Sequence, residues 1–491
     1  MMLMLGVLTV AVLAAAWYYF SRKTSYWAAR GVNQTNPIFP FGDNYEITFG
    51  KTNSADWVKT IYDLYPKARY IGCYHFTTPV LMLKDPDLIK QVTVKDFDSF
   101  PNHAEFADPE SDLLWSKNLF ALKGERWKEM RHVISPNFTS SKIKILYGLM
   151  SEAAEDFVKF FQNSSSDGAV LELEMKDVFT RFANDVIAST AFGIKVDSLR
   201  NRDNTFYLEG KKITDFSSVF KIMKFFALQA LPKLCKLFGI KFFSNATRAY
   251  MTNVIEETIK LRQEQNIIRP DIIQILLDAS RAENPSENGN SDGKRKHSVK
   301  ISLDDISSQA VLFSFAGFDT VSTAISFVAH ELAVHKEIQD RLREEIRETS
   351  QNGKITYEAL QQMKYLDMVV SEVLRKWPPT PFLDRICSKP YTIEPKNEGE
   401  KHIKLSPGTK IWLPIYGLHH DPRHYPEPEK FLPERFSEEN KGSITPYLYA
   451  PFGFGPRSCI GNRFALIEVK ALLYNLLLNF EIIPVKKTQN P

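Results

Sequence analysis

The sequence predicts a mainly α chain with a small β portion, an α+β fold built as one large domain behind an N-terminal membrane helix. Three observations carry this. Helical periodicity dominates from about Leu114 to Leu374. Short extended runs flank it, at Lys67–Leu83 and again from Pro381 to Pro414. No composition break or internal repeat obliges the 491 residues to divide, although length alone would allow about three domains of ~150 residues.

Residues 1–23 are expected to anchor the chain. Met2 to Phe20 is apolar or aromatic, with one Thr, one Gly and no charge. About 20 helical residues match a ~30 Å hydrocarbon core. Trp17, Tyr18 and Tyr19 supply an interfacial belt, and Arg22 and Lys23 place the body on the cytoplasmic side. Ala14 and Ala16 form the A-x-A pattern of a cleavable signal, but the basic leader is missing and the charges lie on the wrong side. Pro37 and Pro40 suggest a stiff hinge over residues 24–45. Residues 46–491 are the body.

Within the body, Ser302 followed by Asp305 makes a helix start. The run behind it, AVLFSFAGFDTVSTAISFVAHELAVH, is apolar nearly all round and belongs to a helix through the centre. Arg281–Lys300 is polar and Gly/Pro-broken, an exposed loop. Ser218 to Phe243 has two open readings. It is a helix pair buried in the core, or an apolar face bordered by Lys221, Lys224, Lys233, Lys236 and Lys241 that touches a membrane.

Net charge is only +4, so no nucleic-acid partner is implied. The four cysteines are far apart, which argues against a disulfide framework and for a reducing compartment. One of them, Cys459, sits in PFGFGPRSCIG, just before an apolar helix. A thiolate that holds a metal ion needs a shielded sulfur tuned by backbone N–H donors. Glycines let the backbone wrap the sulfur, and a helix start offers it positive dipole.

This stretch resembles the cysteine loop of the cytochrome P-450 family, F-x-x-G-x-R-x-C-x-G, through Phe452, Gly455, Arg457, Cys459 and Gly461. The resemblance covers nearly the whole chain and is similar in detail to microsomal insect-type members. It implies the P-450 fold, with haem b (iron protoporphyrin IX) ligated axially by Cys459 and with Phe452, Gly453 and Gly461 in the cofactor loop. Trp127 and Arg131, four apart on one helix, with Arg385 and Arg457, then become contacts of the haem propionates. Ala316, Gly317, Asp319 and Thr320 match the oxygen-binding motif of the central helix. Gly317 would permit a local kink or an inserted water, and Asp319 and Thr320 would deliver protons. Val321 stands where the family commonly has Thr or Ser. Glu372, Arg375 and Arg435 resemble the structural Glu-Arg-Arg triad. Leu119, Phe120, Phe315, Ala316, Thr380, Pro381 and Phe382 are candidate pocket residues, an apolar lining for a lipophilic substrate. The vicinal His419 and His420 converge poorly on one metal ion and read as structural.

No dinucleotide fingerprint, haem-attachment or iron–sulfur spacing supplies electrons. The resemblance therefore implies NADPH–cytochrome reductase as electron donor, with cytochrome b5 as a second partner. Lys128, Lys142, Lys144 and Arg463 are candidates for a basic docking surface. It also implies an endoplasmic reticulum membrane location with the body on the cytoplasmic face. The chain ends at PVKKTQNP, so the family's C-terminal β-hairpin is expected to be missing. Three functions follow from the resemblance: a monooxygenase inserting one atom of O2, an isomerase or dehydratase acting on hydroperoxides, and a non-catalytic haem-binding membrane protein.

Overall fold

The longest helix of the body, Leu303–Val334, is buried over most of its length. Its start is the expected capping box: Ser302 Oγ accepts from the Asp305 N–H at 3.2 Å, and Asp305 Oδ2 accepts from the Ser302 N–H at 2.9 Å. In this computed structural model the chain is described except for residue 1 and residues 106–109, 111, 165–168, 216–217, 270, 282–300, 351–353 and 489–491. The loop expected over Arg281–Lys300 lies, beyond Arg281, outside the described residues.

Helix Met175–Ile187 packs on the central helix. A methyl group added at Gly317 would lie 2.5 Å from Ile187 Cδ1. The glycine thus serves close helix approach. The helical assignment runs through Gly317 from Leu303 to Val334.

Both extended runs form strands. β1 (Tyr70–His75), β2 (Thr78–Leu83) and β3 (Leu383–Ile386) join β6 (Lys410–Leu413) in a four-stranded sheet of order β1-β2-β6-β3. Between β3 and β6 the chain makes a two-stranded ribbon, β4 (Tyr391–Ile393) with β5 (Ile403–Leu405). β1 and β2 are a hairpin, β2 runs parallel to β6, and β3 is antiparallel to β6. Apolar side chains gather into a large helical core and a smaller one around the sheet. The cysteine loop straddles them: Phe454 belongs to the sheet core and Phe464 to the helical one.

At the N-terminus, helix Met2–Thr24 carries exposed apolar side chains such as Leu3, Leu8 and Trp17. It is long and apolar enough to cross a bilayer. The start of the segment behind it docks on the body. Trp27 is fully buried and its indole N–H donates to the Cys73 carbonyl at 3.2 Å. Gly72 is the complement of that ring, since a Cβ there would lie 2.3 Å from Trp27 Cγ.

Candidate active site

The cysteine loop is closed by the Cys459 N–H, which donates to the Phe452 carbonyl at 2.9 Å. Gly455 has φ +67°, and a Cβ there would meet the Thr93 carbonyl oxygen at 2.0 Å, so only glycine fits. Gly453, φ +73°, approaches Leu383 of β3 in the same way. Gly461 caps helix Asn462–Asn479, whose positive end faces the sulfur. Cys459 is exposed, yet surrounding protein desolvates it. A side chain with both properties faces an interior cleft rather than bulk water. Burial pushes its thiol up, while the Gly461 N–H and Arg131 pull it down. A bound metal cation would complete the deprotonation.

Three arginines surround this loop. Arg131 donates to the Ser458 carbonyl at 3.0 Å. Arg457 lies 4.1 Å over the Trp127 ring and donates to the carbonyls of Pro101 and Leu122, each at 2.7 Å. Burial and then the neighbouring Arg385 push Arg457 down to about 9. Arg385 is 1% exposed, pushed down to about 10 by burial, and its Nε has no hydrogen-bond partner. The Asp384 carboxylate offsets part of this charge. Both arginines still stay below their usual range and one donor is orphaned, so the cluster has room for further anions. The two carboxylates of a porphyrin edge suit that room, and the residues present fit the group.

The central helix borders the same region. Phe138, next to Gly461, stacks on Phe313 at 5.6 Å. Ala316 is exposed midway along this buried helix, which marks the cleft. The Thr320 hydroxyl donates to the Ala316 carbonyl at 2.6 Å. Asp319 pairs with Lys176, Nζ to Oδ1 2.8 Å, and Lys176 also donates to the hydroxyls of Ser322 and Thr323. The acid expected at the cleft is thus clamped by a lysine 143 positions away in sequence.

Beneath the loop, Arg375 grips Glu372 through two hydrogen bonds of 2.7 and 2.9 Å, both residues fully buried. Arg435 reaches Glu372 Oε1 at 3.3 Å. The expected triad is assembled. His419 extends it: its Nδ1–H donates to the Arg375 carbonyl at 3.0 Å, and its Nε2 accepts from the Ala450 N–H at 2.9 Å. One imidazole therefore ties the triad helix to the strand of chain leading into the cysteine loop.

A model of the cytochrome P450 family matches residues 61–491. The chain belongs to this family. Cytochrome P450 9e2 of Blattella germanica is 42% identical over 99% of this chain and 92% of its own length. Probable cytochrome P450 9f2 of Drosophila melanogaster is 41% identical over 98% of this chain and 94% of its own. Cytochrome P450 6k1 of Blattella germanica is 36% identical over 99% and 92%. As a P450, the protein is a haem-thiolate monooxygenase by class.

Other expected residues of this P450 scatter more. Leu119 is buried, and its N–H donates to Gln309 of the central helix at 2.8 Å. Phe120 is half-buried, and Phe315 packs edge-on to Trp115 at 5.7 Å. Thr380 is exposed, and the Pro381 carbonyl accepts from the Tyr416 N–H. Phe382 is half-buried, and its ring packs against Trp57 and Trp412 of the sheet core. Among the docking candidates, Lys128 and Lys144 are in exposed ion pairs with Glu125 and Glu358, while Lys142 and Arg463 are exposed.

His419 engages backbone partners through both ring nitrogens, while His420 Nδ1 meets the Tyr416 carbonyl at 3.0 Å and its buried Nε2 has no hydrogen-bond partner among the described residues. Burial, followed by Arg375, pushes both down to about 3. A histidine held neutral in the fold but free to protonate when unfolded costs stability as pH falls. The loss begins near pH 6.5 and continues towards pH 3, at about 1.4 kcal/mol per pH unit for each group. Denaturant titrations at successive pH values should show this slope, and His419→Gln should lower it by about one proton.

Proposed function

We propose that the protein is a membrane-anchored monooxygenase that takes electrons from an NADPH-dependent flavoprotein reductase and inserts one oxygen atom into a lipophilic substrate. The observation that carries this reading is a cysteine facing an interior cleft beside a cluster of buried arginines. Haem bound there would supply dioxygen activation. Cys459 would hold the iron, and Trp127, Arg131, Arg385 and Arg457 would hold the porphyrin carboxylates. Around them this chain's own groups orient and exclude. Phe120, Phe315 and Ala316 offer an apolar wall, which orients a substrate by shape rather than by charge. Thr320 keeps a hydroxyl proton beside the exposed Ala316 carbonyl, where a general acid is needed. Lys176 fixes the Asp319 carboxylate on the flank of the same turn.

Thr320→Ala tests this assignment. The variant is expected to keep its haem while NADPH consumption becomes uncoupled from product, by about tenfold or more. Unchanged coupling would show that protons arrive by another route. The same assay run without reductase separates the hydroperoxide reading, which needs no NADPH.

The lysine-bordered segment supports a second, shallow membrane contact. Phe220, Leu237 and Phe238 are 83%, 77% and 70% exposed on helices Val219–Ala230 and Pro232–Leu237 and the turn after them. Such a face is suited to the headgroup boundary. A chain lacking residues 1–23 should still sediment with anionic vesicles. Changing Phe220, Leu237 and Phe238 together to Glu should weaken that binding on the order of 100-fold. Equal binding would place the contact elsewhere. We assign the body to the cytoplasmic face of the endoplasmic reticulum on the Arg22–Lys23 flank of the anchor.

A further inference from the structure

Beside the arginine cluster lies a histidine–carboxylate pair that none of the motifs above contains. His103 Nδ1 and Asp384 Oδ1 are 2.9 Å apart, and both residues are buried, 7% and 9% exposed. The Ala104 N–H donates to the other carboxylate oxygen. Burial pushes the Asp384 carboxyl up, but His103, the Ala104 N–H and Arg385 outweigh it and hold it below its usual range. The carboxylate is therefore ionised, and the imidazole donates through Nδ1–H.

Residues 101–104 form a strap between two elements of the cofactor site. Arg457 Nε donates to the Pro101 carbonyl at 2.7 Å, and the Ile386 N–H of β3 donates to the Asn102 carbonyl at 2.9 Å. The opposite side of His103 faces the cleft wall: its ring stacks on Phe120 with centroids 4.2 Å apart and planes 14° from parallel. Arg457 holds the carbonyls of Leu119 and Phe120 at 3.2 and 3.4 Å. The arginine cluster and the apolar wall are thus joined at one residue. Asp384 also bears on Arg385, Arg457 and Lys410 together. One carboxylate moderates the charge of three cations.

We propose that His103 is a positioning residue that links the cofactor's carboxylate edge to the substrate wall: its Nδ1–H keeps Asp384 in place as counter-charge to Arg385 and Arg457, and its ring fixes Phe120. This rests on the placement of the porphyrin edge proposed above. The two roles are separable, because one needs a donor and the other a flat ring. A negative charge held beside the porphyrin opposes electron uptake by the iron, so releasing it favours the reduced form.

The test uses the full-length protein reconstituted in lipid, with two readouts: the haem reduction potential, and the affinity for 4-phenylimidazole, an iron-binding probe whose phenyl group occupies the cleft. His103→Phe keeps the stack and removes the donor. It should shift the ferric–ferrous equilibrium about tenfold towards ferrous, 59 mV for one electron, with probe affinity near the parent's. His103→Asn restores a donor and removes the ring. It should return the potential to the parent's and weaken the probe about fivefold. Asp384→Asn should shift the potential in the same direction as His103→Phe. If that variant retains no haem, the two His103 variants decide. Potentials in His103→Phe and His103→Asn that both match the parent, or affinities that do not separate the two, would overturn the inference. A parent protein without a thiolate-type spectrum would overturn the cofactor reading instead.

Discussion

Cys459→Ser is expected to remove NADPH- and reductase-dependent turnover, to below on the order of one-thousandth of the parent, or about 4 kcal/mol of barrier. The loss is electronic rather than architectural. Only a thiolate donates enough electron density to the iron for this chemistry, whereas the loop itself is shaped by Gly453, Gly455 and the Cys459 N–H bond to Phe452. The serine variant should therefore fold and melt near the parent. Turnover within about tenfold of the parent would show that another residue ligates the iron.

Glu372→Ala is the second large effect and acts on the fold. Glu372 is the shared acceptor of Arg375 and Arg435 and also receives the Leu432 N–H at 3.0 Å. Removing it leaves a fully buried guanidinium without its counter-charge, at a cost of about 3–5 kcal/mol. Through Arg375 and His419 the disturbance reaches Ala450, nine residues before Cys459. The expected outcome is protein recovered largely without haem, measured as the haem-to-protein ratio after purification. Glu372→Asp, which keeps the charge at a shorter reach, should recover part of it. A full haem complement in the alanine variant would contradict the assigned role.

Much of this was legible in the sequence wherever the signal is local. The capping pair Ser302 and Asp305, the apolar central helix and the extended runs 67–83 and 381–414 each reflect short-range periodicity or spacing, and each forms as expected. The cysteine loop was legible because its glycines and Arg457 lie within ten residues of the sulfur. What the sequence could not disclose depends on distant partners. Lys176 clamping Asp319, His103 on Asp384 and His419 on Ala450 join residues separated by 143, 281 and 31 positions. No periodicity encodes such pairs. The close approach at Gly317 is of the same kind, because the atom it makes room for belongs to Ile187 of a neighbouring helix. The packing of Phe382 against Trp57 and Trp412 likewise depends on residues distant in sequence or on another strand.

The central claim is that Cys459, held in its loop beneath the central helix, ligates a haem through sulfur. The most direct test is the absorption spectrum of the reduced protein under carbon monoxide. The account predicts the strongly red-shifted Soret band of a thiolate-ligated haem in the parent and its absence in Cys459→Ser. A Soret band of the histidine-ligated type in the parent would contradict it.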